Sequence, residues 1–465
     1  MATEWIDDMP GMPALNGYHE RTKHTRRSVM SAGRLDWSIR PLPFKVYEDL
    51  PGIPLPEALG ELIPYSNGVL RWREDGAGGR YGFHAAPCTG ALYHVELYVA
   101  WAGGGGLPAR LYHYGAHDDA LRQLRNGDVR RELLEATGGY EPMATAPAIV
   151  ALTSTFWRNA WKYHARAYRH AFWDTGAVLA NLLAITADSS SPAHVAMGFD
   201  DARVNHLLGI DGGREAAIAL VAVGDGAGGP PAVSEIPPIS FATAPLSARE
   251  IPYAEIEEAH RDSSLLSGSS AAGWRGPAEA PATTPAPLTE RPIVDVIRRR
   301  RSTRSFTTDP IPRSALDAVL AAAAAPIAGD AFRPGIVEPF LIVNAVEGLE
   351  PGLYGPGPRL IRQGTFRRAS GGLALGQDLA ADAAVNVYLL SDLVEVGERL
   401  GERGYRVAQI AGGIAGARIE LAAIGLGLGG TGLTFFDDEV IRFFGSAAEG
   451  REVMYLAAVG VRARR

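Results

Sequence analysis

Two adjacent side chains that could move protons, Lys162 and Tyr163, lie in the segment WKYHARAYR at residues 161–169. A lysine that is partly removed from water can act as a base, and a neighbouring cation makes a tyrosine a better proton carrier. In the alternative interpretation Lys162 caps a surface and Tyr163 packs in the core. From these residues alone this second interpretation is the simpler one, so a catalytic role needs support from elsewhere in the chain.

A second cluster, RRSTRSF at residues 300–306, combines groups that bind phosphate. Arg300 and Arg304 could chelate phosphate oxygens in bidentate forks, and the Ser302 hydroxyl could add a hydrogen bond. The same arginines would also offset the C-terminal dipole of the helix predicted before them. The glycine-rich run GLGLGGTGLTFF at residues 425–436 is equally open: its amides could approach a ligand closely, or it could end a helix and enter a strand.

The composition excludes several classes of function. The eleven histidines show no metal-ligand spacing and Cys88 is the single cysteine, so we predict neither a zinc site nor an internal disulfide. The net charge of −7 argues against nucleic acid as the main partner. The first residues lack the pattern of a signal peptide, and glycines or charges interrupt the apolar helices, so we expect a cytoplasmic protein that does not span a membrane.

The chain contains an internal duplication with an offset of 237 residues. Arg166, Tyr168 and Arg169 of the first copy match Arg403, Tyr405 and Arg406 in RLGERGYR of the second. The same offset relates two Phe-Asp-Asp triplets, at residues 199–201 and 436–438. A period this long indicates two related domains. The copies differ where chemistry could lie, because the second has Arg399 and Leu400 in place of the Lys-Tyr pair.

Each copy is predicted to be α+β, with long helices and a small sheet. We predict a first domain over residues 1–225, a semi-extended Pro/Gly/Ser/Ala-rich linker over 226–290, and a second domain over 291–465. β-branched, aromatic and buried apolar runs predict strands at 94–101, 109–114, 147–154 and 218–223, and the duplication places their counterparts at 339–343, 353–354, 384–390 and 453–461. Helices are expected at 18–29, near 55–63, at 118–134, from 161 onwards, at 293–301 and at 314–325, with a second long helix after residue 406.

These segments together resemble the nitroreductase-like flavoproteins, and among them the SagB/ThcOx-type dehydrogenases that form thiazoles and oxazoles. RRSTRSF resembles the phosphate motif of that family, and APCTGALYHVELYV at residues 86–99 resembles its PSAGALYPxELYV segment. The Lys-Tyr pair and FDDEVIRFFG at residues 436–445 resemble two further family motifs. Cys88-Thr89-Gly90 in place of Ser-Ala-Gly, and His94 in place of Pro, depart from the pattern.

The resemblance implies a fused pseudo-dimer of two nitroreductase-like domains with FMN at their interface. Each half has lost a different set of motifs, so one composite FMN site is expected and the other site is expected to be degenerate. Lys162 and Tyr163 would be catalytic, on the substrate side. The resemblance assigns cofactor binding to Pro87, Cys88, Thr89, Gly90, Arg300, Arg301, Ser302, Arg304, Leu433, Thr434, Phe435, Arg462 and Arg464.

The function implied is an FMN-dependent oxidation of azoline rings to azoles in a peptide or peptide-like natural product, with oxygen reoxidising the flavin. The substrate could be a peptide, a carrier-bound intermediate or a small molecule, and partner enzymes of a biosynthetic complex or a homo-oligomer are compatible with it. Two alternatives stay open at this point. One is an NAD(P)H-dependent nitro- or quinone reductase, and the other is a flavin-free scaffold in a peptide-modifying complex.

Overall fold

The computed structural model describes residues 14–31, 33–74, 79–232, 235–275 and 289–463. The strands are β1 (Val69–Glu74), β2 (Arg80–His84), β3 (Val95–Trp101), β4 (Arg110–Gly115), β5 (Ala120–Asn126), β6 (Ala148–Thr155), β7 (Ala193–Ala196), β8 (Glu215–Val223), β9 (Glu338–Val343), β10 (Gly352–Gly355), β11 (Arg359–Gln363), β12 (Val385–Ser391), β13 (Gly429–Leu433) and β14 (Glu452–Gly460).

The α-helices are α1 (Ala14–Arg21), α2 (Arg26–Met30), α3 (Glu57–Gly60), α4 (Leu62–Asn67), α5 (Arg130–Ala136), α6 (Pro142–Thr145), α7 (Phe156–Tyr163), α8 (Ala167–Asp188), α9 (Asp201–Leu208), α10 (Ala254–Asp262), α11 (Gly268–Arg275), α12 (Ile293–Arg299), α13 (Arg313–Ala324), α14 (Arg367–Leu373), α15 (Asp378–Asp382), α16 (Leu393–Leu400), α17 (Arg403–Gly425) and α18 (Asp437–Phe444). Short 3-10 turns occur at Trp37–Ile39, Thr89–Ala91, His164–Arg166 and Gly445–Ala448.

Two six-stranded sheets share one strand order, which confirms the duplication and the α+β class. The first runs β5-β4-β3-β6-β8-β7 and the second β11-β10-β9-β12-β14-β13, with antiparallel neighbours throughout. The apolar strands β6 and β12 are buried along their whole length and lie inside their sheets. A separate hairpin, β1–β2, lies outside both sheets.

The long helices α8 and α17 pack against each other between the sheets, and two glycines allow their close approach. A Cβ atom on Gly176 would lie 2.7 Å from the Ile410 carbonyl oxygen, and one on Gly413 would lie 2.5 Å from that of Trp173. These glycines match at the repeat offset of 237. Helix α17 is long and apolar enough to span a membrane by composition, and its apolar window is entirely buried inside the fold.

Buried ion pairs join the two halves reciprocally. Arg166 and Arg169 of the first half bind the carboxylate of Asp437, with shortest distances of 3.1 and 2.7 Å. Arg403 and Arg406 of the second half bind Asp201 in the same way, at 2.6 and 2.8 Å. Each guanidinium group therefore finds its counter-charge in the other half, and a buried charge without such a partner would be costly.

Three sequence predictions differ from the structure. Residues 118–134 form strand β5 and then helix α5, because Asp119 adopts a left-handed turn (φ 54°) that folds β5 back along β4. The long helix of the first copy begins at Ala167, since His164 (φ 51°) breaks it after α7. Residues 18–29 form two helices, and the buried His19 lies 3.2 Å from the hydroxyl of Tyr405 in the other half.

The segment expected to be a semi-extended linker contains α10 and α11. Helix α10 repeats the role of α1, because His260 and His19 offer their carbonyl oxygens to Arg406 and Arg169 respectively. The Ala- and Glu-rich sequence of α10 favours a helix. Pro and Gly residues dominate the composition of the surrounding segment, so composition alone predicts a linker there. Residues 233–234 and 276–288 of the expected linker lie outside the described residues. The domain limits themselves stay a prediction.

Candidate functional site

A cavity of about 1120 Å³ lies between the two halves. The first half contributes the turn at residues 87–91 and the Lys162-Tyr163 pair. The second half contributes residues 300–305, the exposed edge of β13 and the end of β14 near Arg462. The fold thus brings together on one cavity the two sets of motifs that the sequence shows in different halves.

The turn at residues 87–91 is held by Asp174 of helix α8. The backbone N–H and the side-chain hydroxyl of Thr89 donate to its carboxylate at 2.9 and 2.8 Å, and the Cys88 thiol donates at 3.1 Å. Nε2 of His94 lies 2.7 Å from the same carboxylate. Asp174 is therefore the anchor of the turn, with its charge satisfied by several donors.

Gly90 is needed in this turn for two reasons. Its φ of 65° lies in the left-handed region, which favours glycine. A Cβ atom at this position would also lie 2.7 Å from the Tyr163 hydroxyl oxygen. The phenol of Tyr163 is therefore packed directly against the turn, on the cavity wall.

Lys162 and Tyr163 end helix α7, and both line the cavity. The exposed Lys162 has its Nζ 5.2 Å from the centre of the Tyr163 ring. The buried His170 meets that ring edge-on, with 4.6 Å between ring centres. Burial, followed by the charge of Asp174, raises the pKa of Tyr163. Tyr163 therefore keeps its proton at neutral pH and is a hydrogen-bond donor there.

The RRSTRSF segment follows α12, and its arginines have different environments. The Arg300 guanidinium donates to the carbonyl oxygens of His84 and Ala85 and lies 3.5 Å from the buried Glu420 carboxylate. Arg301 donates to carbonyl oxygens at the end of α12. Within the described residues Arg304 is exposed and has no hydrogen-bond or ion-pair partner. Arg304 is therefore better placed to bind a ligand than Arg300, which holds the two halves together.

Strand β13 presents a free edge to the cavity. It pairs with β14 on one side, and on the other Gly430 accepts a hydrogen bond from Thr303. Thr431, Gly432 and Leu433 then line the cavity. Gly432 lets the Tyr455 phenol pack over this strand, because a Cβ atom at this position would lie 2.3 Å from the Tyr455 hydroxyl oxygen.

The remaining predicted residues lie as follows. Ser302, Thr434 and Pro87 line the cavity, whereas Phe435 is fully buried and packs on Trp173 behind the wall. Arg464 lies outside the described residues.

The pseudo-symmetric site is closed by the chain itself. Strand β7, the counterpart of β13, is covered by residues 328–330: Gly329 bridges to Val195, and Asp330 accepts hydrogen bonds from the amides of Met197 and Gly198 at 2.7 and 2.9 Å. The indole of Trp274 packs on Gly198. Both features fill the space in which a ligand of this half would lie.

At the other site, here called the open site, the described part of the chain shows no such closure. The amides matching those of Met197 and Gly198 belong to Thr434 and Phe435, since the Phe-Asp-Asp triplets that directly follow them match at the offset of 237. Among the described residues these two amides have no acceptor. Thr434 lines the cavity, so its unsatisfied amide suits a ligand that accepts hydrogen bonds.

Sequence reasoning missed Asp174, Asp330 and Trp274. A signal for the first existed, because an acid in the apolar run of α8 aligns with Ala411 in the second copy. Sequence spacing also could not show that Cys88, His94 and Asp174 have ligand atoms within 4.8 Å of one another. Their contacts have hydrogen-bond lengths, and they serve to hold the turn.

Comparison with known proteins gives a consistent assignment. The family model described as the nitroreductase family matches residues 69–225 and 297–461. A candidate nitroreductase from Anabaena variabilis ATCC 29413 is similar to this chain with a TM-score of 0.80 and 28% identity, over 97% of this chain and 100% of that one. No curated protein matches the chain.

Two further structures are only partly similar. The E. coli microcin synthetase McbBCD complex has 19% identity and a TM-score of 0.31, over 47% of this chain and 83% of its own. A candidate nitroreductase from Ralstonia eutropha JMP134 has 21% identity and a TM-score of 0.30, over 42% and 88%. With the family model matching both halves and one relative matching nearly the whole length, this chain belongs to the nitroreductase family, as a tandem of two α+β domains with an oxidoreductase fold.

Proposed function

We propose that this chain is an FMN-dependent oxidoreductase that oxidises an azoline ring to an azole at the cavity between its halves. The observation that carries the proposal is the position of Lys162 and Tyr163 on the cavity wall, directly against the turn at Gly90. The bound cofactor would supply the chemistry of hydride acceptance and of electron transfer to oxygen. The residues of this chain supply binding, orientation and proton movement.

Residues on the cavity wall suit two parts of FMN, its phosphate and its ring system. Arg304 and Arg462, with the Ser302 hydroxyl, would hold the phosphate, because charge-assisted bonds from guanidinium groups favour phosphate oxygens. The unsatisfied amide of Thr434 would donate to an acceptor of the ring system. One flavin per chain follows, since Asp330 and Trp274 fill the corresponding place in the other half.

Azoline oxidation removes a hydride from one ring carbon and a proton from its neighbour, and a new C=C bond forms between them. The proton must leave to a side chain or to solvent. Because Tyr163 is protonated at neutral pH, it is suited to donate a hydrogen bond to the ring nitrogen and to orient the substrate. Lys162, whose Nζ lies over the Tyr163 ring, is the side chain that would accept the proton.

A nicotinamide-dependent nitro- or quinone reductase is the second candidate, and it is supported by the full-length likeness to a candidate nitroreductase. Anaerobic single-turnover measurements distinguish the two. We expect a thiazoline-containing peptide to bleach the bound flavin, followed by release of the thiazole product. Bleaching by NADPH, with transfer to a nitroaromatic and no reaction of thiazoline, would select the reductase. A purified protein that releases no FMN on denaturation would contradict both and favour a scaffold.

A further inference from the structure

The cavity has far more positive charge than one flavin phosphate requires. The described residues that line it include six arginines, of which only Arg300 is paired with a carboxylate, that of Glu420, and a single lining acid, Asp174. That acid already binds the turn at residues 88–89 and His94. The chain as a whole has a net charge of −7, so this concentration of cations is local. An uncompensated cationic cavity attracts anions and raises their local concentration.

Two of these cations belong to the β1–β2 hairpin and not to the phosphate motif. Arg71 and Arg73 lie two residues apart on β1, so their side chains project from the same face. Across the hairpin they pair with Phe83 and Tyr81. The Tyr81 hydroxyl donates to the carbonyl of Ala91, which fixes this face of the hairpin against the turn that borders the cavity.

Among the residues that the structure describes, none neutralises either guanidinium group. Within the described residues Arg71 and Arg73 are exposed and have no hydrogen-bond or ion-pair partner. The guanidinium carbon of Arg71 lies 4.4 Å from the centre of the Phe83 ring, and this contact orients the group. The field of Arg71 also reaches the phosphate motif, because it contributes to lowering the pKa of Arg301 after burial, the larger cause.

We propose that Arg71 and Arg73 form a second anion subsite, which binds carboxylate or phosphate groups of the molecule that reacts at the cofactor. The inference rests on the proposed function for the identity of that cofactor, and it adds the chemical class of the substrate. Two sources share this chemistry: an acidic group on the molecule to be oxidised, or the pyrophosphate of a nicotinamide dinucleotide. A guanidinium pair two residues apart on a strand suits either.

Inorganic pyrophosphate is the probe that tests the subsite. Isothermal titration of the FMN-loaded full chain at low salt is expected to show one binding event that weakens as salt is added. The variant R71A/R73A should bind pyrophosphate at least about 10-fold more weakly, because each lost charge-assisted bond is worth about one to two decades. R80A is the matched control: Arg80 lies on the same hairpin, with its guanidinium 4.5 Å from the Trp72 ring, and it does not line the cavity.

Equal affinity of the parent and R71A/R73A, or equal losses in R71A/R73A and R80A, would overturn the subsite. Steady-state kinetics then identify the source. A rise in KM for NADPH with unchanged KM for a neutral thiazoline peptide assigns the subsite to a dinucleotide. A rise in KM for an acidic thiazoline peptide, relative to its amidated form, assigns it to the oxidised substrate. FMN content is measured separately by absorbance, so a colourless protein contradicts the proposed function, whereas unaltered pyrophosphate binding contradicts the subsite.

Discussion

Replacement of Asp437 by Asn tests whether the reciprocal ion pairs hold the open site together. Its carboxylate is fully buried and is bound by Arg166 and Arg169 from the other half. It also accepts a hydrogen bond from the backbone N–H of His24 at 2.8 Å. An asparagine keeps the shape of the side chain but leaves two buried guanidinium groups without a counter-charge.

The magnitude follows from the charges involved. The two arginines outweigh burial and hold the pKa of Asp437 well below its usual range. For the matching Asp201, the pKa falls from 3.8 to about 2, which corresponds to roughly 2–3 kcal/mol of folding stability at neutral pH. Removal of one partner of a buried pair costs more than this, about 3–5 kcal/mol, because the other charge stays buried. We therefore expect a loss of about 3–5 kcal/mol in either variant.

The two variants should differ in what they do to the cofactor. Asp437 follows Thr434 and Phe435 closely, so D437N is expected to release FMN before global unfolding. Asp201 lies beside the closed site, where its partner Arg403 binds the carbonyl of Met197, so D201N should unfold early but keep its flavin. Urea unfolding followed by circular dichroism and by flavin fluorescence measures both events. If D437N unfolds at the urea concentration of the parent, the charge argument is wrong.

Three further outcomes are expected. K162A and Y163F should retain FMN but show flavin reduction slower by at least about 10²-fold in anaerobic single turnover, whereas the repeat-related R399A should react at the parent rate; equal effects in both copies would support a packing role. R304A should weaken FMN binding about 10- to 100-fold by equilibrium dialysis, and full retention would contradict the phosphate assignment. Because folding lowers the pKa of Asp201 to about 2, its stabilisation is complete above about pH 4 and is lost as the pH falls toward 2; acid titration of D201N should lack this loss.

The duplication made much of the fold predictable. β-branched and buried apolar runs identified β3 and β6, the duplication located β9 and β12, and the repeated arginines located the start of both long helices within a few residues. These features are local, because a buried strand and a buried helix each leave their own period in the sequence. The failures at β5 and α10 came where a turn or a tertiary contact decides between helix, strand and loop.

The candidate site was predictable in outline, and its details were not. Each half keeps a different set of motifs, and the structure brings the kept sets to one cavity. The sequence could not show that Arg300 is engaged by two carbonyls and Glu420, or that Phe435 lies behind the wall. The contacts of Arg300 and the position of Phe435 both depend on which residues of the other half lie within a few ångströms. No local sequence pattern predicts such contacts. The catalytic and binding roles stay predictions for the experiments above.

The first half, which carries the closed site and is here called the closed half, can differ from the second because its own polar groups are satisfied without a ligand. A half with a vacant ligand place would expose the amides of Met197 and Gly198 and the edge of β7. Asp330 satisfies those amides, and Trp274 covers the adjacent backbone while its indole N–H donates to the carbonyl of Leu400 at 2.6 Å. Leu400 is the repeat counterpart of Tyr163. The closed half is thereby complete without a ligand, and it can serve as a rigid support that supplies the turn, the Lys-Tyr pair and the buried arginines to the open site.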